Sequence, residues 1–97
     1  MGRFDNKVVI VTGSSNGIGR TTAILFAEEG AKVTITGRSE KALDITRDEL
    51  LKAGAKADDI HYMTGDLTNE SVQKKLIEST VEKFGQIDIL VRLIFKT

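Results

Sequence analysis

The chain has 97 residues, 40% apolar and 29% charged, with 14 basic residues against 14 acidic ones and no cysteine. That length supports one domain with a modest core, the charge balance offers no field to attract nucleic acid or an anionic membrane, and the absence of cysteine excludes disulfides, thiolate metal sites and a cysteine nucleophile. No apolar run reaches the ~20 residues of a membrane helix, and the amino terminus lacks the layout of a secretory signal, so a cytoplasmic chain with neither nucleic-acid nor membrane partners is expected.

Lys7 to Thr12 reads as a buried strand, because Val8, Val9, Ile10 and Val11 are apolar without a break. From Gly17 to Glu29 the pattern turns helical, with Ala23, Phe26, Ala27 and the stop signal Gly30 at three- and four-residue steps. Val33 to Thr36 is a second strand. Ser39 caps a second helix with Leu43, Thr46, Leu50 and Ala53 on one face, and Gly54 closes it. Ile60 to Thr64 is a third strand. Thr68 or Asn69 caps a third helix that turns Val72, Leu76, either Thr80 or Val81, and Phe84 inward before Gly85 ends it. Ile87 to Val91 is a fourth strand, apolar save for Asp88. This βαβαβαβ alternation implies right-handed crossovers and a parallel sheet with helices on both faces: an α/β, Rossmann-type three-layer sandwich.

Three glycines, Gly13, Gly17 and Gly19, fall where the first strand hands over to the first helix. Gly13 permits the sharp turn off the strand, Gly17 lets backbone approach a ligand where a Cβ would collide, and Gly19 lets the helix pack close to the sheet. A helix start carries unpaired N–H groups and a partial positive charge, so a pyrophosphate is bound there by main chain and dipole together. Ser14, Ser15 and Asn16 add short polar side chains at the same mouth, and Ile18 completes the segment. The second strand ends in Thr36-Gly37-Arg38-Ser39. In dinucleotide sites an acidic residue here favours a free ribose 2′-hydroxyl and an arginine accommodates a 2′-phosphate. Arg38, with no carboxylate before it, therefore favours NADP(H) over NAD(H). Asp66-Leu67 follows the third strand at the same edge, where the carboxylate is placed to accept from an adenine amino group and Leu67 to pack on the ring. His61, the one histidine, reads as a strand-flanking surface residue, and no metal site is expected. Asn69-Glu-Ser71 fits a glycosylation sequon but opens a helix, and Met1-Gly2 lacks the hydroxyl residue that myristoylation needs at Asn6; both are set aside.

With these residues in hand, the chain resembles the amino-terminal half of short-chain dehydrogenases/reductases. The match is Thr12-Gly13-Ser-Ser-Asn-Gly17-Ile18-Gly19, backed by Gly37-Arg38, Asp66-Leu67-Thr68 and Phe84-Gly85-Gln-Ile-Asp88-Ile-Leu-Val91. The resemblance implies strand order 3-2-1-4, an NADP(H)-type cofactor, and hydride transfer between a carbonyl or alcohol and nicotinamide. After Val91 the family continues with an asparagine-rich turn, whereas this chain reads Arg92-Leu-Ile-Phe-Lys-Thr97. The family's catalytic serine, and its paired tyrosine and lysine, have no counterpart: the sole tyrosine is Tyr62, and four residues on stands Asp66. Residues 1–97 are thus expected to be a truncated cofactor-binding domain with no catalytic residue, inactive alone. The fourth strand would leave an open apolar edge, inviting a homo- or hetero-oligomeric contact. The alternative is a non-catalytic interaction module that pairs with a full-length relative through that edge.

Overall fold

Two central strands buried on both faces, two less buried flanking strands and helices apolar on one stripe assemble here by alternation. The computed structural model describes residues 2–14 and 17–92. The elements are β1 (Val8–Val11), α1 (Gly17–Glu28), β2 (Lys32–Gly37), α2 (Glu40–Lys52), β3 (Ile60–Thr64), α3 (Glu70–Phe84) and β4 (Ile89–Val91), with a short 3-10 turn at Ala57–Asp59 leading into β3. The strands form one sheet in the order β3-β2-β1-β4, parallel at every pairing, which is the topology expected from the family resemblance.

Successive residues of a strand point to opposite faces, and the sheet divides its side chains accordingly. Val9 and Val11 of β1 and Val33 and Ile35 of β2 form one cluster with Ala23 and Ala27 of α1 and Leu43 and Leu50 of α2. Thr34 points the other way, where its hydroxyl lies 3.1 Å from that of Thr80 on α3. That buried pair settles the choice in the third helix: Thr80 is fully buried, while Val81 is exposed. Its hydroxyl also reaches the Leu76 carbonyl at 2.8 Å, so the polar atom is satisfied where an apolar residue would ordinarily stand.

Helix boundaries follow local chemistry. Ser39 Oγ accepts from the Ala42 N–H at the start of α2, Asn69 does the same for Ser71 at the start of α3, and Gly85 ends α3 with φ +84°. β4 begins at Ile89, two residues later than its apolar run suggests. Asp88 holds the entry to it: its carboxylate accepts the Val8 N–H at 2.8 Å, and its own N–H donates to the Val8 carbonyl at 2.9 Å. At the far end of the same two strands, Thr12 N–H donates to the Val91 carbonyl at 3.0 Å. β1 and β4 are thereby pinned at both ends, and the glycine turn leaves the sheet beside the carboxyl end of β4.

Candidate functional site

The chain departs in opposite directions from β1, toward β2 and β3 on one side and β4 on the other, which makes the carboxyl ends of these strands a topological switch point, the place where open α/β sheets bind ligands in a crevice. Gly13 opens the turn there with φ +64° and Gly17 starts α1 with φ +56°, both left-handed conformations that glycine adopts without strain. A Cβ at Gly17 would meet nothing within 4 Å, so that face of the backbone is open. A Cβ at Gly19 would lie 2.0 Å from the Gly13 carbonyl oxygen and 2.9 Å from the Ser14 Cα. Gly19 is therefore required where the first turn of α1 touches the turn that leaves β1. Ser15 and Asn16 lie outside the described residues.

Ser14 is placed differently from its expected position at the mouth. It is fully buried: its hydroxyl donates to the Val11 carbonyl at 2.8 Å and accepts the Thr36 N–H at 2.9 Å, while its own N–H donates to the Thr36 carbonyl at 3.0 Å. It joins the ends of β1 and β2 beneath that switch point. The Thr36 hydroxyl continues the line to the Met63 carbonyl at 2.8 Å, and Thr46 on α2 donates to the Ser14 carbonyl at 2.8 Å while accepting from Arg20 Nε at 2.8 Å. Sequence reading missed this buried hydroxyl layer, although three threonines and serines at carboxyl strand ends and on an inward helix position were the available signal. What remains for a ligand is the start of α1, where the N–H groups of Gly17, Ile18 and Gly19 have no carbonyl four residues earlier within the helix. Ile18 is 64% exposed at this rim.

Arg38 and Asp66 are brought together. Gly37 and Thr64 are register partners at the carboxyl ends of β2 and β3, and just beyond them Arg38 Nη2 stands 3.3 Å from Asp66 Oδ1, both side chains exposed. The same oxygen accepts the Thr68 N–H at 2.9 Å and the Thr68 hydroxyl at 2.7 Å. These bonds from Thr68, aided by the Arg38 charge, hold the Asp66 carboxyl below the usual carboxylate range. Thr68, considered as a helix cap in the sequence, thus orients Asp66, and Asn69 caps α3. Leu67 is partly buried, its carbonyl accepting from Gln73 Nε2. Arg92 follows β4 directly and is exposed.

His61 departs from its expected surface position. Its ring is half-buried between β3 and α3, with Nε2 2.9 Å from Ser79 Oγ, and burial followed by the Lys83 charge pushes its pKa down. Tyr62, in β3, faces α2, where chiefly the Asp44 charge raises its pKa. A shallow groove between the amino-terminal segment and α1, lined by Arg3, Phe4 and Leu25, lies at the opposite end of β1 from the glycine turn. No cluster of metal-ligating side chains occurs among the described residues, and no helix among them is long and apolar enough to cross a membrane.

The short chain dehydrogenase family model matches residues 7–92. A glucose 1-dehydrogenase of Gluconobacter oxydans is 43% identical over 89 residues, covering 92% of this chain and 33% of that protein. The crystal structure of a glucose dehydrogenase of Caenorhabditis elegans in its apo form superposes with a TM-score of 0.93 at 48% identity, over 98% of this chain and 40% of that one. A short-chain dehydrogenase/reductase of unknown function from the same organism, with cofactor, gives 0.88 at 57% identity over 91% of this chain and 32% of that one. The chain thus corresponds to the amino-terminal part of these relatives and spans about a third of their length.

Proposed function

The chain belongs to the short-chain dehydrogenase/reductase family, and on that footing we propose that residues 1–97 bind NADP(H) in preference to NAD(H) and form the adenosine and pyrophosphate half of an oxidoreductase site. The observation that carries this reading is the turn from Gly13 to Gly19, with two left-handed glycines and a third whose missing Cβ lets the α1 start sit against the Gly13 carbonyl. Anionic pyrophosphate suits that helix start, through N–H donors and the helix dipole together. Arg38, at the edge where a ribose 2′ substituent would lie, supports a phosphate there through a guanidinium fork. Asp66 offers its Oδ2 to an adenine amino group, and Leu67 an apolar surface to the ring.

The family's chemistry is hydride transfer between nicotinamide and a carbonyl or alcohol, and it needs a proton donor against the developing oxyanion. These 97 residues contain no Tyr-x-x-x-Lys pair, and Tyr62 lies in β3. Cofactor binding without turnover is the behaviour proposed for them by themselves. A glucose dehydrogenase stands among the relatives, but this chain spans only 33% of that protein, and its substrate is not carried over.

A second reading rests on β4. Among the described residues no strand pairs with its outer edge, and Leu90 is 50% exposed. An open parallel edge is a template for another chain, and a module docking through it on a full-length relative would form a stable hetero-oligomer. A monodisperse monomer in light scattering with that relative present removes this reading.

Thermal unfolding with NADP⁺, NAD⁺ and adenosine 2′,5′-bisphosphate tests the main one. Ligand at ten times its dissociation constant stabilises the folded state by about 1.4 kcal/mol, a rise of roughly 6–11 °C for a domain of this size. Adenosine 2′,5′-bisphosphate raising the midpoint while NAD⁺ does so only at higher concentration is the expected result. No shift with any of the three refutes cofactor binding.

A further inference from the structure

Within this reading of the site, which the inference takes as its basis, Arg38 already has an anionic partner before any nucleotide arrives. Asp66 is not a passing neighbour. Its Oδ1 is fixed by the Thr68 N–H and hydroxyl at 2.9 and 2.7 Å, so the carboxylate stays in place whether or not Arg38 meets it at 3.3 Å. The Thr68 contacts also keep it ionised, since they hold its pKa down. No hydrogen bond engages Oδ2 among the described residues, so one oxygen serves the protein and the other is left for a ligand.

This arrangement has unequal consequences for the two cofactors. A 2′-phosphate must draw Arg38 away from Asp66 and then lie close to that fixed negative charge. A 2′-hydroxyl does neither, and the ion pair persists beside it, leaving no unpaired guanidinium. We infer that Asp66 is a specificity-determining residue that competes with the 2′-phosphate for Arg38, tempering a preference that Arg38 alone would make steeper. Thr68 is its positioning residue, acting only through the carboxylate it anchors.

Asp66→Asn separates this role from a plain adenine contact: its amide keeps a carbonyl for Thr68 but puts an N–H donor where Oδ2 stood, so loss of the adenine contact weakens both nucleotides alike, whereas loss of the charge changes their ratio. Dissociation constants for NADP⁺ and NAD⁺ are measured by calorimetry on the chain, Asp66→Asn, Arg38→Ala and the double variant. Asp66→Asn raises the ratio of the NAD⁺ to the NADP⁺ constant by roughly two- to fivefold, the range of an exposed ion pair, and raises it less in the Arg38→Ala background, where only the repulsion between carboxylate and phosphate is relieved. An equal change for both nucleotides, or a fall in the ratio, overturns the inference and leaves the proposed function standing. A chain that binds neither nucleotide, or a ratio indifferent to Arg38→Ala, fails the reading of Arg38 itself and takes the inference with it.

Discussion

Gly19→Ala is the sharpest perturbation of the glycine turn. The added methyl would stand 2.0 Å from the Gly13 oxygen, 2.6 Å from the Gly13 carbonyl carbon and 2.9 Å from the Ser14 Cα. All three are backbone atoms, so no side chain can swing aside, and α1 must move outward by about 1.4 Å to restore an ordinary carbon–oxygen contact near 3.4 Å. Overpacking of this kind costs about 1–3 kcal/mol, and the better helix propensity of alanine returns at most about 1 kcal/mol. With that full return the net loss is about 0–2 kcal/mol, read in thermal unfolding as a fall of up to roughly 16 °C. The same displacement carries the Gly17, Ile18 and Gly19 amides off the pyrophosphate position, and NADP⁺ affinity falls by more than tenfold, since misplacement of about 1 Å costs about two orders of magnitude where geometry is demanding. Urea unfolding with and without NADP⁺ measures both effects. A variant with the parent midpoint and parent affinity would refute the close contact at Gly19 and the cradle built on it.

Other perturbations address the surrounding framework. Ser14→Ala leaves the buried Thr36 N–H without its acceptor, and a loss of about 1–3 kcal/mol in chemical unfolding is expected, with cofactor selectivity unchanged. Asp88 has its pKa lowered, first by the Val8 N–H and next by Gln86. Its contribution is therefore present above the ordinary carboxylate value of 3.8 and disappears as pH falls through the depressed folded value. In Asp88→Asn the unfolding midpoint should be lower near neutrality and vary less below pH 4. His61 carries the same sign on the basic side: burial lowers its folded pKa below 6.5, so the unfolded chain binds more protons and stability declines on acidification from that value. His61→Gln should remove this limb of the pH profile. Arg38→Asp should reverse the order of NADP⁺ and NAD⁺ affinities, and an unchanged order would make Arg38 a surface charge only.

What the sequence made legible was set by local chemistry. The bounds of β3, Ile60–Thr64, and the caps at Ser39 and Gly85 were readable because a β-branched or apolar run and a capping residue act within one turn of chain. The strand order was legible only through the family resemblance, since periodicity fixes faces and not neighbours. Side-chain direction was the main loss. Ser14 looked like a mouth residue because it stands among glycines, yet the left-handed turn at Gly13 swings its hydroxyl inward to Thr36, a partner 22 positions away. Thr68 and Asn69 were indistinguishable as caps until Asp66 claimed Thr68. The Arg38–Asp66 pair was within reach of the sequence, because parallel β2 and β3 must end at one edge. Taken one at a time, each residue matches a separate part of the ligand, and the pairing shows only when the two strand ends are set side by side.

The most direct measurement is a titration of the ¹⁵N-labelled chain with NADP⁺, followed through amide resonances. Pyrophosphate held at the start of α1 should shift the Gly13, Gly17, Ile18 and Gly19 amides together and saturably, while the Val33 and Leu76 amides stay still. Saturating NADP⁺ that leaves those four resonances unmoved would contradict the claim that the glycine turn holds a dinucleotide.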